Sequence, residues 1–132
     1  MFNDLKEELK KVYLLAKERH LEESTCVDDF TVENLRDTYA KDLSYSAKEN
    51  ELFDVLNGLD FESIKIIQTI MYIGRDHDYD RNDSYETRYK KYRESLDFRG
   101  WNEKEIEVDQ IVQKVPLDNY LKDGFEILGI NL

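Results

Sequence analysis

The sequence predicts an all-α fold: a single compact domain of about six or seven short helices packed around a central apolar helix at about residues 61–73. Three observations carry this expectation. The chain has 132 residues, 40% of them hydrophobic and 37% charged, which is one domain's length with enough apolar material for one core. It holds only 5 Gly and 1 Pro, too few for the tight turns that a β fold of this size requires. Apolar side chains also recur at three- and four-residue spacing through most of its length.

The first helix is expected from Asp4 to Leu21, where Leu5, Leu9, Val12, Tyr13, Ala16 and His20 share a stripe between lysines and glutamates. A polar connection, Glu22 to Phe30, leads to Thr31, which can cap a second helix burying Val32, Leu35, Tyr39 and Leu43 until Ser44 and Ser46 interrupt it. A third runs from Ala47 to Asn57 with Leu52, Phe53, Val55 and Leu56 inward, and Gly58 stands where a left-handed C-terminal residue is wanted. Asp60 then caps the most apolar segment, Phe61 to Ile73, which Gly74 stops. On it Ile64, Ile67, Ile70 and Met71 form one face and Glu62, Lys65 and Gln68 mark the other, while Ile66 and Ile73 imply cover on more than one side.

Arg75 to Asp83 reads as a polar loop. Ser84 caps a helix to about Asp97 with Tyr85, Tyr89, Tyr92 and Leu96 inward and Lys90, Lys91 and Glu94 facing water. Phe98 to Trp101 turns the chain. Asn102 with Glu105 resembles a capping box and opens a helix burying Ile106 and Ile111, with Val108 and Val112 as further inward candidates. Pro116 opens the last helix, carrying Leu117, Tyr120, Leu121, Phe125 and Leu128. Gly124 in its middle costs about 1 kcal/mol relative to Ala, which implies close approach of a neighbouring helix.

Net charge is −11 and both halves are acidic. Such a field disfavours phosphate backbones and raises the encounter rate with basic protein surfaces, felt over about 8 Å at physiological salt. Nucleic acid is therefore disfavoured as a partner. No run approaches the roughly 20 apolar residues of a membrane span, and charges between Met1 and Lys11 leave no room for a signal peptide's apolar stretch. The expected compartment is the cytosol, with no membrane partner. The single cysteine, Cys26, excludes an internal disulfide and a zinc ribbon.

Two segments carry a resemblance: Ile67-Gln-Thr-Ile-Met-Tyr-Ile-Gly-Arg75, and Lys114 to Gly129 with its Pro-Leu-Asp-Asn-Tyr-Leu-Lys-Asp-Gly core. Together they resemble a family of small bacterial helical proteins, a domain of unknown function, with Met-x-x-Gly-Arg ending an apolar helix and a C-terminal Pro-Leu-x-x-Tyr-Leu-x-x-Gly. The resemblance covers about residues 52–129. It implies a bacterial cytosolic helical domain and no particular chemistry.

The candidate chemistry is sparse. Acids at Asp76, Asp78 and Asp80 open like a calcium loop, but its sixth position is Arg81 where Gly belongs and its twelfth is Thr87 where a bidentate Glu belongs. His77 lies within this loop and His20 lies far from it in sequence, so no metal site is expected. Cys26 has Asp28 and Asp29 beside it, which suppress a thiolate. No catalytic residue and no cofactor is singled out.

The reading that remains is a non-enzymatic module binding another macromolecule, its concrete form an acidic inhibitor or immunity-type protein against a basic partner. Its candidate contacts are Glu22, Glu23, Asp28 and Asp29, in a stretch without a base. The alternative is a small-ligand pocket or enzyme site near Arg75 and His77. A second alternative is a nucleic-acid accessory role through Arg88 to Arg99, where Arg88 and Lys91 belong to the one local reversal of charge. A homodimer through Phe98 and Trp101 is a further option.

Overall fold

Every residue from Ile67 to Gly74 is buried in the computed structural model of the chain, which describes residues 2–27 and 49–132, with side chains for 2–21 and 49–132. Such a run is possible only if a helix is covered on all sides, and it makes this one the axis of an all-α fold. After a single 3-10 turn at Asn3–Leu5 comes α1 (Lys6–Val27); α2 covers residues 49–57; then follow α3 (Phe61–Asp76), α4 (Tyr85–Arg99), α5 (Lys104–Gln113) and α6 (Leu117–Ile127). α3 packs against α4, α5 and α6, and α6 also packs against α1. The expected second helix, Thr31 to Leu43, lies outside the described residues.

Several boundaries differ from expectation, each for a local reason. α1 does not end at Leu21 but continues to Val27. Gly74 does not stop α3; the helix runs two residues further and ends at His77, whose left-handed backbone lets its N–H reach the Ile73 carbonyl. Gly58 is not left-handed, and its N–H bonds to the Asp54 carbonyl in an ordinary last turn. The Asn102–Glu105 capping box is absent; buried Glu107 accepts the Asn102 N–H instead, at 2.9 Å. Ser84 does cap α4, accepting the Thr87 N–H.

Burial also departs in places. Gln68, expected on a wet face, is fully buried, and its amide donates to the Tyr72 hydroxyl and the Gln110 side chain, both at 3.2 Å. Tyr85 and Ile106, expected inside, are 53% and 46% exposed. α4 is thus buried only at Leu96, with Tyr89 and Tyr92 between core and solvent.

The tightest packing is where α3 crosses α6. A methyl group on Gly74 would overlap the Tyr120 carbonyl and come within 2.6 Å of the Gly124 nitrogen, and one on Gly124 would overlap the Ile70 carbonyl. The two segments carrying the family resemblance therefore meet here. The other long-range clamp uses Arg19, 2% exposed on the same face of α1 as Leu9, Val12 and Ala16. Its guanidinium donates to the Val112 carbonyl at 2.7 Å and the Lys114 carbonyl at 3.0 Å, with Glu49 at 3.9 Å. Beside it, His20 Nδ1 lies 3.0 Å from both carboxylate oxygens of Asp118.

Gly124→Ala should cost about 3 kcal/mol in urea denaturation, because backbone on α3 cannot yield as a side chain can. Gly58→Ala, whose methyl would meet only ordinary contacts at 3.5 Å, should be neutral or slightly stabilising. Equal losses at both glycines would refute the close crossing. Arg19→Met should likewise cost about 3 kcal/mol, since it strands two carbonyls that a flexible apolar chain cannot satisfy. Lys17→Met on the wet face of α1 is the comparison, expected to change stability little.

Candidate functional site

A helical face with side chains four and seven residues apart makes a continuous wall, and α4 supplies one through Arg88, Tyr92, Ser95 and Arg99. The facing wall is the end of α3, with Tyr72, Arg75 and Asp76, continued by the loop after it. Between them is an open cleft of about 460 Å³, within the size range of small-ligand sites.

Most charges in the cleft are already engaged. Arg88 donates to three backbone carbonyls, those of Asp80 at 3.2 Å, Arg81 at 3.0 Å and Ile127 at 2.8 Å, and so ties the loop and the end of α6 to α4. Its guanidinium also lies over the Tyr79 ring, 4.7 Å from the centroid. Lys91 pairs with Asp83 at 2.8 Å. Arg75 donates Nε to Asp76 at 2.8 Å, and the Tyr92 hydroxyl donates to the other oxygen of the same carboxylate. Burial works to raise the Asp76 carboxyl, but these two hydrogen bonds outweigh it and hold it below the usual carboxylate range. Burial and the Asp76 carboxylate together push the Tyr92 phenol well above its usual range.

The cations around Tyr72 are bound differently. Its buried ring has the Arg75 guanidinium 4.5 Å from the centroid, Lys114 at 5.8 Å and Arg99 at 5.9 Å. Asp76 is the carboxylate that serves this group, through Arg75; neither Arg99 nor Lys114 has an ion pair among the described residues.

The structure thus brings together Arg75, Arg88 and Lys91 of the expected site residues, and separates them from His77. Arg75 pairs with its neighbour Asp76 and stacks on Tyr72. His77 turns to α6, its Nε2 3.1 Å from Asp123. Glu22 and Glu23 fall within α1 but their side chains are outside the described ones, and Asp28 and Asp29 are outside the described residues altogether. Sequence reasoning missed Tyr72, Tyr92 and Arg99 as cleft residues. The spacing of Arg88, Tyr92, Ser95 and Arg99 was the available signal.

A second recess, about 650 Å³ and wide open, runs between α2 and α5. Phe53, Ile106 and Val108 are its apolar lining and Glu105 and Asp109 its acidic lining, while Lys104 donates to the Asn57 carbonyl at 2.9 Å. Among the described residues no three His, Cys, Asp or Glu are placed to hold a metal ion, and no helix is long and apolar enough to cross a membrane. Phe98 is 95% exposed, whereas Trp101 is half-buried with its indole N–H on Asp97 at 2.7 Å.

Comparison with protein-family models, with curated proteins and with solved structures finds no match.

Because the folded Asp76 carboxyl lies below its unfolded value, its contribution to stability is complete above the ordinary carboxylate range and is lost as pH falls through the lowered one. Asp76→Asn should therefore reduce stability at neutral pH and flatten its decline between about pH 6 and pH 3. Urea midpoints measured across that interval would show it. Parallel curves for the two proteins would mean that Asp76 gains nothing from Arg75 and Tyr92.

Proposed function

We propose that this chain is a non-enzymatic binding module whose partner is a protein with a basic surface. The observation that carries the reading is the recess between α2 and α5. Ile106 is a large apolar side chain nearly half exposed beside half-buried Phe53, and two carboxylates border it. An apolar centre inside a charged rim is the arrangement of protein docking faces, where desolvated apolar anchors supply affinity and the rim supplies orientation. The base that lines this recess, Lys104, is directed to a backbone carbonyl, so its surface charge is set by Glu105 and Asp109. A net charge of −11 adds attraction for a basic partner.

The complementary partner surface presents an apolar residue flanked by lysine or arginine. An acidic inhibitor or immunity-type protein, blocking a basic toxin or nuclease in a bacterial cytosol, is the concrete form this reading takes. The single cysteine is in keeping with that compartment.

The test is affinity capture from nuclease-treated lysate by the wild type and by an Ile106→Ser, Glu105→Lys double variant, side by side at low and moderate salt. The expected result is a basic protein retained by the wild type, lost from the variant and weakened at least several-fold by salt. Recovery of the same proteins by both baits would overturn the assignment to this recess.

A further inference from the structure

We infer that the cleft along α4 is a binding site for a compact oxyanion of the phosphate or phosphomonoester class, held at its Arg99 end. The inference is independent of the protein-docking reading, which uses a different face. Its basis is the uneven neutralisation of the cleft. At the Arg88 end, Arg88 is saturated by backbone carbonyls and Lys91 by Asp83. Eleven residues along the helix, about 16 Å, lies Arg99. There two cations of the cleft lining, Arg75 and Arg99, lie within 6 Å of the Tyr72 ring centre, and Lys114, outside the lining, lies within 6 Å of the same ring. One carboxylate, Asp76, serves them, and its oxygens are already shared with the Tyr92 hydroxyl.

This leaves a surplus of positive charge in a strongly acidic protein. Like charges gathered on one ring repel each other, and water and the ring quadrupole offset that only in part. A bound dianion would remove the repulsion and convert it into charge-assisted hydrogen bonds. Donors are available: Arg75 gives Nε and Nη2 to Asp76, so Nη1 has no partner among the described residues. Ser95 lines the same wall one turn before Arg99, and its hydroxyl has no hydrogen bond among the described residues. Guanidinium groups with a hydroxyl match the geometry of phosphate oxygens.

The same cleft argues against a polymer of phosphates. Asp78, Asp80 and Asp83 line its loop side, so a nucleic-acid strand laid along α4 toward Arg88 would meet carboxylates. A single compact anion at Arg99 would not.

The experiment is an NMR titration of the isotope-labelled protein with inorganic phosphate at constant ionic strength, following the amides around Tyr72, Arg75, Ser95 and Arg99. Saturable shifts confined to these residues are expected, weakened about tenfold or more by Arg99→Gln and unchanged by Lys90→Gln on the wet face of α4. Both substitutions are at exposed positions, and an otherwise unaltered spectrum will show that each variant is folded. Shifts that do not saturate, or that survive Arg99→Gln, overturn the proposal. So does a single-stranded oligonucleotide that binds more tightly than phosphate with shifts extending to Arg88, an outcome that would assign the wall to nucleic acid.

Discussion

The crossing of α3 and α6 fixes most of what surrounds it, because Gly74 and Gly124 let two helical backbones touch where any side chain would hold them apart. The approach is compulsory for the rest of the architecture. α6 lies close enough to α3 that Asp123 reaches the His77 ring at the end of α3 and the Ile127 carbonyl reaches Arg88 on α4. The other side of α6 carries Asp118 to His20 and so receives α1. A helix pair held a side chain's width further apart would keep its apolar stripes but misplace each of these polar contacts. The glycines thus set the positions of groups that they do not touch.

Electrostatically the molecule is an acidic surface with internal exceptions. Several of its bases hold elements together: Arg19 on carbonyls at and just after the end of α5, Arg88 on the loop and α6, and Arg93 between Glu62 and Asp97 at 3.0 and 2.9 Å. Basic side chains used in this way stabilise the fold while giving little positive field to solvent. That is why a segment as basic in sequence as Arg88 to Arg99 does not become a basic strip. The cations around Tyr72 stand out against this background because the same accounting leaves them under-neutralised.

Much of the fold was legible in the sequence. The helical spacing of Leu9, Val12 and Ala16, the apolar density from Ile64 to Ile73 and the cap at Ser84 are local signals, and local physics decides them. Gly124 was legible too, since a mid-helix glycine is costly unless something approaches it closely. Arg19 and Gln68 were not legible. Each is polar by type and has a partner more than forty residues away, Val112 for Arg19 and Gln110 for Gln68, that no short window contains. Ile106 failed in the opposite direction: its register is that of a core residue, but α5 is covered on one side and leaves it open. The candidate site was half legible. Arg75, Arg88 and Lys91 could be chosen as bases near a loop, whereas their convergence with Tyr72 and Arg99 depends on how α4 lies across α3.

The Arg19 clamp also bears on how the chain is closed in time. Its acceptors are 93 and 95 residues away, and the neighbouring His20–Asp118 pair spans 98. Contacts of that range form only after the intervening chain has collapsed, because loop closure costs entropy before any bond repays it. α1 is therefore a late arrival by topology although its helical propensity is early. Until it docks, the carbonyls of Val112, in the last turn of α5, and of Lys114, just after it, lack their Arg19 donor. The distant ends of this sequence thus make one cooperative unit, in which hydrogen exchange from α1 and from the α5–α6 connection should rise and fall together.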